Sequence, residues 1–140
     1  MLQPDPQCGL VPVIYGDTVF DASIGGTILS TEELFEHLAE VFKPARILIA
    51  GTEEGVWSDY PSRTAIIPTI TPGRLEEVDT ILEASEHPDV TGGMKSKVHS
   101  MINLIHQGNC REVQIFSGVK ANNIFRALNG ESVGTTIHED

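Results

Sequence analysis

Asp89-Val90-Thr91-Gly92-Gly93-Met94-Lys95-Ser96-Lys97 sets two glycines and two lysines at the head of a long amphipathic segment. Met94, Val98, Met101, Ile102 and Ile105 recur at helical spacing and Gly108 stops the run, which predicts a helix from about Gly93 to Gln107. A helix N-terminus presents unpaired N–H groups and a partial positive charge, and both favour a phosphate. Glycines there let a phosphate approach the backbone, and a lysine a few residues on adds a mobile point charge. Cations in a first turn oppose the helix dipole, a small cost that a bound anion would offset. Taken alone, the same residues also suit an ordinary turn running into a solvated helix face.

Short elements flank this segment on both sides. Upstream, the apolar run Val11-Pro12-Val13-Ile14-Tyr15 ends at Gly16-Asp17, and Thr18-Val19-Phe20-Asp21 is a second extended piece. Gly25-Gly26 turns the chain into Thr27-Ile28-Leu29. Ser30-Thr31-Glu32-Glu33 is a capping-box pattern ahead of Leu34, Phe35, Leu38, Val41 and Phe42, which predicts a helix closed by Pro44. Arg46-Ile47-Leu48-Ile49-Ala50 reads as a buried strand before the loop Gly51-Thr52-Glu53-Glu54-Gly55. Ala65-Ile66-Ile67 suggests a short edge strand, and Leu75, Val78, Ile81 and Leu82 a helix near 74–85. Downstream come a strand at 112–116, a helix near 121–128 and a last strand at 133–137. Strands alternating with helices predict an α/β sheet with parallel members. Residues 1–10 read as a loose lead-in and 11–140 as one domain.

Composition narrows the partners. Nine Lys and Arg against twenty Asp and Glu give a net charge of -11, which argues against nucleic acid or an anionic membrane. A nucleotide remains compatible, since a small ligand answers to the local field and arrives with Mg²⁺. Six acids and no Lys or Arg lie between Arg74 and Lys95, so Lys95 and Lys97 stand out. No apolar run approaches the roughly 20 residues of a membrane span. The first seven residues lack the basic and apolar parts of a signal peptide, so a cytoplasmic location is expected. Cys8 and Cys110 then read as reduced thiols. The five histidines show no metal-ligand spacing and no metal site is assigned. His99 and His106 share a helix face that reads as solvated.

Each remaining motif has an ordinary reading. Glu33 fits the capping-box partner position, and Glu32 alone is a surface acid in a first turn. Thr52, Glu53 and Glu54 follow a buried strand, where open α/β sheets place ligands, yet a polar loop there is unremarkable. Ser117-Gly118 and Gly134-Thr135 are plain turn pairs until their order along the chain is considered.

That order resembles the C-terminal half of the amino acid kinase family, in its isopentenyl phosphate kinase branch. The matching elements are Tyr15 to Asp21, Ile28 to Glu33, Ile47 to Val56, Thr91 to Lys97, Ile115 to Gly118, and Gly130 to Ile137. The Gly-Gly-Met-x-x-Lys element ending at Lys97 is fairly specific to the family. The Gly-Asp-x-Val-x-Asp and Gly-Glu-x-Val-Gly-Thr elements point to the branch.

The resemblance implies the C-terminal half of a three-layer αβα sandwich with a mainly parallel sheet. It implies transfer of the γ-phosphoryl of ATP, with Mg²⁺, chemistry that rests on positioning and charge neutralisation. Lys97 would contact the transferring phosphates and Glu32 would orient the active-site lysines. Gly51, Thr52, Gly55, Gly92 and Gly93 would border ATP, and Thr31 falls on a glycine that holds the substrate phosphate. Thr52 and Glu54 stand where the family's loop carries two aspartates, and Glu32 replaces an aspartate with a longer arm. The family's N-terminal half, with its glycine-rich loop, a lysine and a substrate-recognising histidine, has no counterpart before Val11. A half-domain unable to turn over alone is therefore expected, partnered by a complementing N-terminal half or in a homodimer. Two alternatives stay open: a non-catalytic interaction or dimerisation module, and a kinase of another acceptor such as acetylglutamate, uridylate or an antibiotic.

Overall fold

Ser30 caps the first helix in the way its sequence requires. Its hydroxyl accepts the Glu33 N–H at 3.1 Å, and the Glu33 carboxylate accepts the Ser30 N–H at 2.8 Å. At the other end Lys43 takes a left-handed conformation (φ 43°), returns its N–H to Ala39, and Pro44 prevents continuation. The computed structural model describes residues 9, 11–84 and 93–140, so the lead-in (apart from Gly9), Gly92 and Asp89 to Thr91 lie outside the described residues.

Within these the order is β1 (Asp17–Val19), β2 (Thr27–Leu29), α1 (Thr31–Phe42), β3 (Arg46–Gly51) and β4 (Thr69–Ile70). A 3₁₀ turn (Pro72–Arg74), α2 (Leu75–Ala84), α3 (Gly93–His106), β5 (Glu112–Ser117), α4 (Asn123–Leu128) and β6 (Thr135–His138) follow. β1 and β2 form an antiparallel hairpin. The main sheet has the order β3-β5-β6-β4. β3 runs parallel to β5, with Arg46 opposite Glu112 and Gly51 opposite Ser117, and β4 runs parallel to β6. An antiparallel β5–β6 pairing joins the two parallel pairs. The sheet is thus mixed and mainly parallel.

Alternation along the strands decides which residues face which layer. Ile47, Ile49, Val113, Ile115 and Ile137 point to one face and bury against Ala39 of α1, Val78 of α2, and Val98, Met101, Ile102 and Ile105 of α3. Leu48 and Phe116 point the other way, where Ala127 of α4 and Val133 close a smaller cluster. Three layers result, with α4 a thin second cover.

One element differs from the sequence reading. The edge strand is Thr69–Ile70, not Ala65–Ile67: Ile66 makes only an isolated bridge with Trp57, and the Ile67 N–H goes to the Val56 carbonyl. β4 finds its partner in β6, far along the chain.

Gly134-Thr135 locks the sheet to the loop after β3. Thr135 is fully buried; its hydroxyl accepts the Val56 N–H at 2.8 Å and donates to the Ile67 carbonyl at 2.7 Å. Gly134 has φ +72°, and a Cβ there would lie 2.2 Å from the Ile115 carbonyl oxygen and 2.7 Å from that of Glu54. No side chain fits this place. Gly134→Ala is expected to destabilise the fold by about 3 kcal/mol or more, read as a lower urea midpoint; a midpoint within error of wild type would refute the lock.

The cap of α1 predicts a pH response. Hydrogen bonds from the Ser30 backbone, then the Ser30 side chain, hold the Glu33 carboxyl below its ordinary value of 4.5. Its contribution is therefore present above the unfolded value and is lost as pH falls through the lower folded value. Between pH of about 5 and about 3 the amide resonances of Ser30 and Glu33 should shift together, and Glu33→Gln should abolish that response.

Candidate functional site

Parallel strands fed by short turns bring two helix starts to one edge. α1 feeds β3 through residues 43–45 and α3 feeds β5 through 107–111, so each helix runs back along the sheet. Each N-terminus then lies beside the carboxyl end of its strand, the edge where open α/β sheets bind ligands. Thr31, Glu32, Gly93 and Lys97 reach this edge from the helices, and Gly51, Thr52 and Gly55 reach it from the loop after β3.

A direct contact joins the two helices there. The Lys97 ammonium lies 3.1 Å from Glu32 Oε1, with the side chains 31% and 24% exposed. Solvent screening at that exposure leaves the pair worth at most about 1 kcal/mol to stability. Its effect is positional, fixing a cation beside the N-terminus of α3. Gly93 opens that helix with φ +51°, a backbone turn that glycine adopts without strain.

Lys95 takes the opposite direction. Its ammonium lies 2.5 Å from Glu83 Oε1 and 3.8 Å from Asp79 Oδ1, both on α2. The hydrogen bond to Glu83, more than any other influence, raises its pKa above the ordinary lysine value. Two residues along a helix amount to a turn of about 200°, which is why the neighbouring lysines separate. His99 also reaches Asp79, with Nε2 2.6 Å from Oδ1, so it does not sit on a bare solvated face; His106 is exposed as that reading expects.

Thr31 and the loop residues have structural partners. The Thr31 hydroxyl accepts the Gly16 N–H at 3.0 Å, tying the start of α1 to the hairpin. A Cβ on Gly16 would lie 2.6 Å from the Leu29 carbonyl oxygen, so the approach depends on glycine. The Gly51 carbonyl accepts the Gly118 N–H at 2.8 Å, holding the ends of β3 and β5 together. Gly51 and Thr52 are exposed, whereas Gly55 is buried against Thr135. Glu54 pairs with Lys120 at 3.2 Å across the two strand ends. Glu53 accepts the Trp57 indole N–H at 2.6 Å and pairs with Arg63 at 3.3 Å, while Arg63 lies over the Tyr60 ring.

Glu32 and Lys97, sixty-five positions apart, are thus in contact, and the topology sets Thr31, Gly51, Thr52, Gly55 and Gly93 on the same edge. Sequence reasoning missed Gly16, Lys120 and Asp79. Gly16 lay within a quoted motif, but only a tight approach of backbone to backbone gives it a role. Among the described residues no group of three His, Cys, Asp or Glu gathers as a metal ion would require, so no resident Mg²⁺ site is assigned. No helix of the described residues is long and apolar enough to cross a membrane.

Residues 5–117 match the amino acid kinase family. The chain belongs to that family. It is 40% identical over 128 residues to the isopentenyl phosphate kinase of Methanocaldococcus jannaschii, covering 91% of this chain and 46% of that protein. It is 32% identical over 135 residues to the isopentenyl phosphate kinase of Methanothermobacter thermautotrophicus, covering 92% and 49%. An X-ray structure of isopentenyl phosphate kinase superposes with a TM-score of 0.64 at 26% identity, over 94% of this chain and 46% of that one. The chain spans about half the length of the curated relatives it matches and resembles one half of such a kinase.

Proposed function

We propose that this chain is the nucleotide-binding half of an ATP-dependent small-molecule kinase whose acceptor is isopentenyl phosphate. The observation that carries the reading is the Glu32–Lys97 pair beside the N-terminus of α3. A cation held by Glu32, the start of a helix and a glycine converge where a phosphate would lie. The acceptor rests on the relatives, which bear the name isopentenyl phosphate kinase.

In the proposed reaction an acceptor phosphate oxygen attacks the γ-phosphorus of ATP, the bond to the β–γ bridging oxygen breaks, and ADP leaves. Charge grows on the transferring group and on that bridging oxygen, so a positioned cation is what the protein has to supply. Lys97 would pass from Glu32 to those oxygens, or share itself between them. Glu32 would hold the ammonium in place before the nucleotide arrives. Gly93 would let the phosphates approach the helix start, and Gly51, Thr52 and Gly55 would border the nucleotide. Mg²⁺ would enter on the phosphates, since the described residues gather no acid set of their own. Thr31, engaged with Gly16, would bound the acceptor phosphate. Such a kinase would act in isoprenoid biosynthesis in the cytoplasm.

The second reading is a non-catalytic interaction or dimerisation module. Exposed apolar side chains favour it: Phe20 is 100% exposed and Val13 89%, with Tyr15, Ile24 and Ile28 also open. On the kinase reading the same surface would meet a complementing N-terminal half.

Calorimetry with Mg·ATP separates the two. The kinase reading expects saturable heat that Lys97→Ala reduces by at least about tenfold in affinity. No heat from a folded wild-type chain would leave only the interaction module. Co-expression with the N-terminal half of an archaeal isopentenyl phosphate kinase should then yield isopentenyl diphosphate from ATP and isopentenyl phosphate. A nucleotide-binding complex that phosphorylates another acceptor instead would overturn the substrate assignment.

A further inference from the structure

α3 is gripped by carboxylates on two sides at its first turns. On one side Asp79 Oδ1 meets both His99 Nε2 at 2.6 Å and Lys95 Nζ at 3.8 Å. Lys95 and His99 stand one helical turn apart, so one carboxylate oxygen bridges two successive turns of α3. Glu83, one turn beyond Asp79 on α2, takes Lys95 from the far side at 2.5 Å. On the other side, Lys97 turns away from α2 and meets Glu32 of α1.

We propose that Asp79 is a positioning residue: by holding Lys95 and His99 against α2, it fixes the rotation of α3 that presents Lys97 to Glu32. Three observations support this. The buried side chains of the helix, Val98, Met101, Ile102, Leu104 and Ile105, all lie past its first turn, so they hold its body more firmly than its head. Among the described residues, the directional contacts of its head are the ion pairs and hydrogen bonds from α1 and α2. Lys95 and Lys97 also oppose the helix dipole from the first turns, and acids placed alongside offset that cost. Asp79 is the better placed of the two α2 acids, its side chain 25% exposed against 67% for Glu83, so its contacts are less screened.

The arrangement divides the basic side chains at the head of α3 between two tasks. Lys95 and His99 anchor the helix to α2 and Lys97 faces the site edge. A rotation that loosened the anchor would swing Lys97 off Glu32 although Asp79 never touches Lys97. The consequence for nucleotide binding rests on the kinase reading above; the geometric claim does not.

The test uses the full chain and two readouts. Amine acetylation followed by mass spectrometry reports how well each lysine is held. Asp79→Ala should raise the labelling rate of Lys97 several-fold as well as that of Lys95, with thermal stability nearly unchanged. Glu83→Gln should raise Lys95 alone. Calorimetry with Mg·ATP should show about tenfold weaker binding for Asp79→Ala, with Asp79→Glu recovering affinity to within about twofold. If Asp79→Ala unfolds the chain, the double variant Lys95→Met with His99→Gln opens the same contact from α3 and should raise Lys97 labelling equally. Unchanged Lys97 labelling in a folded variant of either kind would overturn the proposal. A rise in Lys97 labelling in Asp79→Ala, with a wild-type chain that gives no heat with Mg·ATP, would uphold the positioning role and refute the kinase reading.

Discussion

Parallel pairing of β3 with β5 is the constraint from which the site follows. Two parallel neighbours cannot be joined by a tight hairpin, so the chain must cross between them. The helices that feed them, α1 and α3, run side by side in the same sense, and their starts arrive at the same edge. Glu32 and Lys97 meet for that reason alone. The Gly118 N–H on the Gly51 carbonyl and the Lys120–Glu54 pair then close the ends of the two strands against each other.

Local charge reconciles an acidic chain with the phosphate site proposed for it. The net charge of -11 sets the far field, but a bound phosphate responds to the few groups within a Debye length. At the strand ends and around the head of α3, Glu32, Glu54, Asp79 and Glu83 each face a lysine. Their charge is spent on holding lysines and a histidine in place. The acidity of the surroundings is therefore part of how the cations are aimed.

Some of this was legible in the sequence because it is local. The capping box at Ser30, the stop at Pro44 and the periodicity of α3 each depend on residues within one or two turns, and each element lies within a residue or two of its predicted place. The edge strand was misread because apolar content favoured Ala65–Ile67, whereas position is decided by pairing with β6 and by the Val56 carbonyl that claims the Ile67 N–H. No periodicity links Glu32 to Lys97; only the family resemblance put them in one site. Asp79 looked like one more acid in an acidic stretch, and its partners became visible only when α2 and α3 were placed side by side.

Thr135 also bears on the order in which the chain takes shape. Its hydroxyl completes the hydrogen bonding of the loop after β3, yet seventy-nine positions separate it from Val56. Loop residues synthesised early must wait for a partner synthesised late, and contacts of such separation form slowly. During translation the hairpin, α1 and β3 can leave the ribosome while Val56 and Ile67 still lack that hydroxyl. The loop after β3 is thus among the last parts of this chain to set, and a nascent chain halted before Gly134 carries its lysines without the frame that holds that loop in place.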